Sequence, residues 1–426
     1  MTQILICTVG GSHQPIIEAI KDLRPDFVEF ICTDKDPATG KAGSNTQIES
    51  KGSCIKAHFG DEKPTLPNIP TQTGLDVQQY HITLTLADDL DRTYLDCIKI
   101  IEDLNARYPN AKIAADYTGG TKSMSTGLVM AALEYPDIEL KLVTGTRGDL
   151  IKVQDGSQFS DHADCQQIRY QRLSAPYRQA WSRYAYSETL AGLEQFKPPK
   201  GLRDDYTRLR ELSRAFAEWD NFNHKEAFKI LQQYASKELT PYLNVARALD
   251  DVKPEKCNAA RLFDLYLNAQ RRAAQGRYDD AIARVYRLIE WTAQWLLEYQ
   301  CGIKTADIQV EQVPAAMSIK PNRDGKYQAG LFEAWQLVKH QTQGAAAQFI
   351  RIQEKELQNH LKVRNGSILA HGFEPIQSAN WQTINQWLTI HFLPMLLEES
   401  TKVGIKNLPP QLPDSYQSFE RDKPSD

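Results

Sequence analysis

Apolar positions follow two rhythms along the chain. In the first 170 residues, short apolar runs alternate with helix-spaced stretches. Ile4-Leu5-Ile6-Cys7-Thr8-Val9 predicts a strand that stops at Gly10-Gly11, and Ile16, Ile17, Ala19 and Ile20 predict the helix after it. Pro15 suits that helix's first turn, where an amide needs no intrahelical partner. Phe27–Thr33 predicts a second strand, so the chain opens β-loop-α-β, the sign of a parallel sheet with right-handed crossovers. Residues 34–79, rich in Gly, Pro, Thr, Asn and Lys, read as loop with one short helix around Gln47–His58. Further strands are predicted at Tyr80–Leu86, Lys112–Asp116, Ile138–Val143 and Leu150–Val153, with helices at Tyr94–Tyr108 and Ser125–Glu134.

Beyond Tyr170 the period becomes helical. Trp181, Tyr184, Leu190, Leu193 and Phe196, then Tyr206, Leu209, Leu212, Phe216 and Trp219, recur at three- or four-residue steps, with a break at Pro198-Pro199-Lys200-Gly201. That spacing marks the aromatic stripe as core rather than as a platform for bases, and the lone His224 beside a turn as structural. Helices at Ala259–Arg272, Ala281–Tyr299, Leu331–His340, Phe349–Val363 and Trp381–Glu399 predict an antiparallel bundle. The helix pair around Gly276-Arg277-Tyr278 has the look of a tetratricopeptide unit, but no repeat at that period follows. The reading is α/β then all-α: a Rossmann-like domain with a mainly parallel sheet at 1–170, a helical spacer at 171–255, a bundle at 256–404, and a Pro-rich, charged tail at 405–426 predicted to be disordered.

Composition narrows the partners. A net charge of −4 excludes polyanion binding by bulk electrostatics, so any nucleic-acid contact needs a local patch. Seven scattered cysteines without a C-x-x-C speak for a reducing compartment and against a structural metal or disulfide framework. The chain enters its first strand within three residues, with no signal-peptide pattern, and no apolar run approaches the ~20 residues of a membrane span. A cytoplasmic protein is expected.

Two glycine-bearing loops are predicted at strand C-termini, each leading into a helix, where open α/β sheets place their ligands. Gly10-Gly11-Ser12 with Gln14 and Thr8 forms one; Gly119-Gly120-Thr121-Lys122-Ser123-Met124 forms the other. Glycine allows close backbone approach and helix N-termini attract phosphate, while Thr121, Lys122 and Ser123 add hydroxyls and a charge. Arg147, beyond Thr144-Gly145-Thr146, can close a third side. Neither loop is a P-loop or an intact G-x-G-x-x-G, although Asp34 stands where a ribose-binding acid would. In the late helices, Arg364 and His371 stand seven residues apart, two helical turns, so on a helix they share one face. A fixed cation beside a group that titrates near neutrality suits phosphodiester cleavage. Asn365-Gly366, a poor helix interior, is also compatible with a site that begins in a loop.

Three stretches taken together carry a resemblance: Thr8-Val9-Gly10-Gly11-Ser12, Asp116–Met124, and Arg364-Asn365 with His371, supported by Gly276–Ala281 and Tyr286–Glu290. The chain resembles the CRISPR-associated CARF–HEPN ribonucleases of type III systems, in the branch with a helical spacer. The resemblance implies a CARF domain that binds a cyclic oligoadenylate, with tetra-adenylate favoured over hexa-adenylate, and a HEPN domain that cuts single-stranded RNA in antiviral defence. It implies a homodimer with one composite active site, no metal or other cofactor, no membrane and no stable DNA binding. Arg364 would stabilise the phosphorane, His371 would move the proton, and Asn365 would fix geometry. The products would carry a 2′,3′-cyclic phosphate and a 5′-hydroxyl. Lys122 with the hydroxyls of Thr8, Thr121 and Ser123 would suit cleavage of the activator as well. A catalytically silent sensor that signals to a partner remains an alternative, as does a Rossmann-type oxidoreductase, which the broken glycine fingerprint opposes.

Overall fold

The structure is a computed structural model that describes residues 2–52, 54–55, 65–144, 159–195, 197–369 and 372–419. It divides into two compact units, Met1–Gln171 and Arg172–Asp426.

The first unit is built on a six-stranded sheet. Its strands are β1 (Gln3–Thr8), β2 (Phe27–Thr33), β5 (Tyr80–Thr85), β6 (Lys112–Asp116), β7 (Glu139–Thr144) and β8 (Phe159–His162), and β3 (Cys54–Ile55) and β4 (Thr65–Leu66) form a separate hairpin. The order is β5-β2-β1-β6-β7-β8. The first five strands are parallel and β8 is antiparallel to β7. The parallel sheet read from the sequence is therefore present, with an antiparallel edge that was not anticipated; the predicted strand Leu150–Val153 lies outside the described residues.

Alternation along the strands explains the layers. On β1, Leu5, Cys7 and Val9 pack on one face with Ile16, Ile17 and Ile20 of α1 (Gln14–Leu23), while Ile4 and Ile6 pack on the other with Cys97, Ile101 and Leu104. The short helices α2 (Thr46–Glu49) and α3 (Ile69–Thr73) lie in the long loop, and α4 (Leu90–Arg107) and α5 (Lys122–Leu133) cover the second face. A Cβ on Gly127 of α5 would lie 2.8 Å from Thr93 Cγ2 of α4, so glycine there lets the two helices approach. Helix α5 begins three residues before the sequence-based start, because Thr121 supplies its N-cap, accepting from the Met124 amide at 3.3 Å. The one charged residue in the middle of β2, Glu29, is buried but accepts from His81 Nδ1 at 2.8 Å and Thr83 Oγ1 at 2.7 Å on the edge strand.

The unit boundary falls within α6 (Gln166–Ala180). Helices α7 (Tyr186–Leu193), α8 (Arg203–Asp220), α9 (His224–Gln233) and α10 (Thr240–Leu249) form the spacer, and α11 (Pro254–Ala274), α12 (Tyr278–Cys301), α13 (Leu331–Gln341), α14 (Ala345–Asn365), α15 (Ser378–Trp387) and α16 (Leu393–Thr401) the bundle. The predicted helix Trp381–Glu399 is interrupted by a π-helical turn at Leu388–Phe392. Pro394 follows it and has no N–H to return to the Ile390 carbonyl.

Buried charges join the spacer to the bundle. Asp264 of α11 accepts from Trp219 Nε1 at 2.9 Å and pairs with His224 Nε2 at 2.8 Å. The fully buried Arg271 donates to Asp220 at 2.7 Å and lies 3.6 Å from Asp264. His224 is thus structural, as its isolation suggested, and the aromatic stripe is core: Trp181, Phe216 and Trp219 are buried.

The expectation of a disordered tail at 405–426 is corrected for its described part. Leu412, Tyr416 and Phe419 are buried. Tyr416 and Phe419 pack on Trp181, with centroids 5.5 and 6.0 Å away, and Tyr186 Oη donates to the Pro413 carbonyl at 2.6 Å. Proline and charge suggested disorder, but three apolar anchors spaced along the segment outweigh composition.

Burial pushes the Asp264 carboxyl up, yet its hydrogen bond from His224 and the charge of Arg271 outweigh this and hold it below the usual aspartate range. Its contribution is complete above about 3.9, the ordinary aspartate value, and is lost as pH falls toward the lower folded value. Asp264→Ala, which leaves Arg271 and His224 buried without their partner, should lower stability by about 3–5 kcal/mol in urea unfolding of the second unit.

Candidate functional site

Each unit holds one candidate site. In the first unit the β1 and β6 loops touch through their backbones. A Cβ on Gly119 would lie 2.2 Å from the Thr8 carbonyl oxygen, and one on Gly10 would lie 2.6 Å from the Gly120 amide nitrogen. Gly120 adopts φ +82°, which L side chains avoid. Thr8 Oγ1 donates to the Gly119 carbonyl at 2.7 Å, and Ser125 Oγ donates to the same oxygen at 2.7 Å. Asp116 ends β6 and accepts from the Thr118 amide at 2.9 Å, which shapes the turn into Gly119. Burial pushes its carboxyl up, against the hydrogen bonds from Thr118 and the charge of Lys141.

Beside this contact lies a cleft of about 340 Å³. Gly10, Gly11, Thr121 and Met124, all named from the sequence, line it. So do Thr33 and, in the long loop, Ala42, Gly43, Ser44, Thr46 and Gln47, which sequence reasoning left out. The latter are stitched to the end of β2. Ser44 Oγ accepts from the Thr33 amide at 2.9 Å, and a Cβ on Gly43 would lie 2.2 Å from the Thr33 carbonyl oxygen. The Gln47 amide donates to the Gly10 carbonyl. Gly43-Ser44, a small pair that begins ten residues after the end of β2, was the available signal. The Met124 amide is taken by Thr121, which leaves those of Lys122 and Ser123 at the α5 N-terminus for an anion.

Not every expected ligand contact faces the cleft. Thr8 is fully buried and its hydroxyl is committed to Gly119, so it braces the two loops instead of meeting a ligand. Thr121 Oγ1 donates to the Ala87 carbonyl while capping α5. Two of the three hydroxyls considered for cleavage of the activator are therefore occupied. The Gln14 amide donates to Glu18 at 2.9 Å. Ser12 and Lys122 are exposed, Ser123 is half-buried, and Arg147 lies outside the described residues.

In the second unit α14 ends at Asn365, with Gly366 as its C-cap. The expectation that Arg364 and His371 share a helical face is corrected: the helix stops one residue after Arg364, because Gly366 does not sustain it. The Ser367 amide returns to the Arg364 carbonyl at 2.9 Å, and the Glu374 amide reaches the Gly366 carbonyl at 3.1 Å. A Cβ on Gly372 would lie 2.0 Å from the Gly366 carbonyl oxygen. The motif thus sits at a helix end with a tight loop after it; His371 itself lies outside the described residues. The Arg364 guanidinium lies over the Tyr286 ring of α12, 4.3 Å from its centroid, and Nη1 is 3.3 Å from Asn365 Oδ1. Tyr286 entered the sequence reading only as part of a resemblance; no spacing pointed to it as the seat for Arg364. One turn before Arg364, His360 is buried against Trp387 at 4.8 Å, and burial lowers its pKa, so it belongs to the core. Among the described residues, no three His, Cys, Asp or Glu side chains gather as a metal-holding group, and no helix is long and apolar enough to cross a membrane.

The profile of the Csm6 HEPN domain matches residues 250–392, which contain α11, α12, α14 and Arg364. That of the Csm6 6H domain matches residues 174–255, so the two together span 174–392, just over half of the chain. The chain belongs to the Csm6 family of CRISPR-associated CARF–HEPN proteins. The fold agrees. Enterococcus italicus Csm6 bound to cyclic hexa-2′-fluoro-hexa-dAMP is similar at a TM-score of 0.58 and 14% identity, over 94% of this chain and 95% of that one. None of the curated proteins compared with the chain matches it. Membership makes the first unit the CARF domain, and it makes the spacer helices the Csm6 6H domain.

Gly119→Ala should force the β1 and β6 loops apart. Overpacking of this kind costs roughly 1–3 kcal/mol. Calorimetric titration with a cyclic oligoadenylate should show affinity lost, with the second unit's melting unchanged.

Proposed function

We propose that the protein is a cyclic-oligoadenylate-activated endoribonuclease that cleaves single-stranded RNA without a metal. The observation that carries this is Arg364, seated over Tyr286 at the end of α14 within the segment matched by the Csm6 HEPN domain. The CARF cleft supports the gating half. It offers backbone amides and glycine surfaces to a phosphate ring, and the similar Enterococcus italicus protein was solved with a cyclic oligoadenylate analogue.

RNA carries its own nucleophile, the 2′-hydroxyl next to the scissile phosphorus. Placement then replaces an external nucleophile, and effective molarity supplies about 7 kcal/mol or more in well-oriented cases. His371 takes the proton from that hydroxyl or gives one to the leaving 5′-oxygen. Arg364, whose guanidinium Tyr286 and Asn365 hold in place, stabilises the charge that builds on the phosphorane. The products carry a 2′,3′-cyclic phosphate and a 5′-hydroxyl.

The working form is a homodimer in which two motifs face one another. Apolar residues flank the motif in the open: Phe373 is 91% exposed and Ile368 63%, with Leu369 also exposed. Large apolar side chains exposed together beside a reaction site support a protein–protein contact there.

Single-stranded RNA should be cut in EDTA only when a cyclic oligoadenylate is added, and a screen of ring sizes should identify which. His371→Ala should lower the rate by roughly 10²–10⁴-fold. Activity abolished by EDTA, or intact in His371→Ala, overturns the reading. Phe373→Glu with Ile368→Glu should shift light scattering toward the monomer mass and remove cleavage, while leaving activator binding intact.

A further inference from the structure

The helical unit holds a second cavity that this chemistry does not use. It has a volume of about 420 Å³ and lies between the turn before α7 and the turn that joins α11 to α12. Arg183, Tyr184, Arg272 and Arg277 line it, together with the two carboxylates Glu188 and Asp220. Gln275 of the α11–α12 turn clamps the two walls, donating to the Arg183 carbonyl at 2.9 Å and the Tyr184 carbonyl at 3.4 Å.

Three observations suit this cavity to a phosphate and a base. Arg272 is nine-tenths buried, and its Nε has no hydrogen-bond partner. Burial lowers its pKa to about 10, and the charges of Arg284 and Arg277 add to the fall against that of Asp280, so cations crowd this wall. Asp220 is shared between Arg271 and Arg272, which leaves Arg272 Nε unmet. Arg277 pairs with Asp280 and Arg183 with Glu188 at 3.4 Å, both pairs open to water on the arginine side and of the weak kind that an incoming phosphate displaces. Tyr184, which lines the cavity, is held at φ +56°, a left-handed conformation that costs a non-glycine residue free energy, and its ring meets that of Tyr186 at 6.5 Å.

The cavity and the Arg364 loop also reach the same end of α12. Arg277 is the N-cap of that helix, and two residues later Asp279 Oδ2 accepts from the Ile376 amide, just after the loop, at 3.3 Å. The cavity and the loop therefore both border the first turn of α12.

We propose that this cavity is a subsite for a nucleotide of the single-stranded RNA substrate, with Arg183 and Arg277 on its phosphate and Tyr184 stacked on its base. Guanidinium pairs and aromatic faces are how proteins hold single strands without reading their sequence. The proposal rests on the ribonuclease reading of the HEPN domain, since it needs a strand passing the Arg364 loop.

The test uses the full chain and a long 2′-O-methyl single-stranded RNA, which cannot undergo attack by its own 2′-hydroxyl. Arg183→Ala with Arg277→Ala should weaken binding, and the slope of log affinity against log salt should fall by roughly 0.7 per arginine removed. Tyr184→Gly, which relieves the left-handed backbone while removing the ring that meets Tyr186, should keep the parent's circular dichroism spectrum and weaken binding roughly fivefold or more through lost stacking. Both variants should bind cyclic oligoadenylate as the parent does. With cleavable RNA they should raise KM for long substrates and leave kcat and the shortest cleavable substrates unchanged. A parent that cleaves RNA alongside variants with unchanged affinity and salt slope overturns the subsite alone. A parent that neither binds nor cleaves RNA overturns the ribonuclease reading and the subsite with it. Adenosine monophosphate binding lost in the variants while RNA binding is unchanged assigns the cavity to a free nucleotide and overturns the RNA assignment.

Discussion

The second unit turns on one buried carboxylate. Asp264 is removed from water and surrounded by Trp219, His224 and Arg271, groups that come from α8, α9 and its own helix α11. A lone carboxylate there would be driven to neutrality; with these partners it stays ionised. The cluster fixes the spacer against α11, and α11 leads through a short turn into α12, which carries Tyr286 as the seat for Arg364. The position of the reactive arginine thus depends on a charge that never meets RNA. Removing one partner of such a cluster harms far more than the cluster's own net contribution suggests.

In the CARF domain the corresponding constraint is the absence of atoms. Gly10, Gly119 and Gly120 let two strand ends meet backbone to backbone, and Thr8 closes the contact with its hydroxyl. The cleft wall is therefore main chain, a surface that presents amides without side-chain entropy to lose on binding. It also explains why hydroxyls that look available along the chain are not: a threonine next to a glycine-only contact is the nearest group able to satisfy a displaced carbonyl.

Much of this could be read before the structure. The parallel core was legible because central strands are mostly apolar, with Glu29 the exception inside β2, and the bundle because its stripes keep the helical period. Of the glycine loops, Gly10-Gly11 alone could be a tight turn, and Gly119-Gly120-Thr121-Lys122-Ser123 was the more legible because it joins flexibility, a cation and hydroxyls at a helix start. What escaped depends on contacts distant in the chain. Ala42, Gly43, Ser44, Thr46 and Gln47 show no periodicity, and the segment is held at the cleft by hydrogen bonds of Ser44 with Thr33 and of Gln47 with Gly10. The end of α14 at Asn365 was half-visible in Asn365-Gly366, yet the even spacing of Arg364 and His371 argued for a continuous face. Tyr286 and the tail were opaque for a different reason: a ring beneath a guanidinium and an apolar residue in a Pro-rich segment acquire their roles only once a partner is in place.

That tail has a consequence for how the second unit comes apart. Trp181 and Tyr186 stand before the HEPN sequence, Tyr416 and Phe419 after it, yet all four belong to a single aromatic cluster. The cluster works as a clasp whose two halves bracket the bundle in sequence, with residues 186 and 413 joined across a separation of 227. Such a clasp cannot open without releasing both ends of the intervening helices, nor close before they have drawn those ends together. The 6H and HEPN segments, distinct as sequence modules, are therefore bound into one cooperative block.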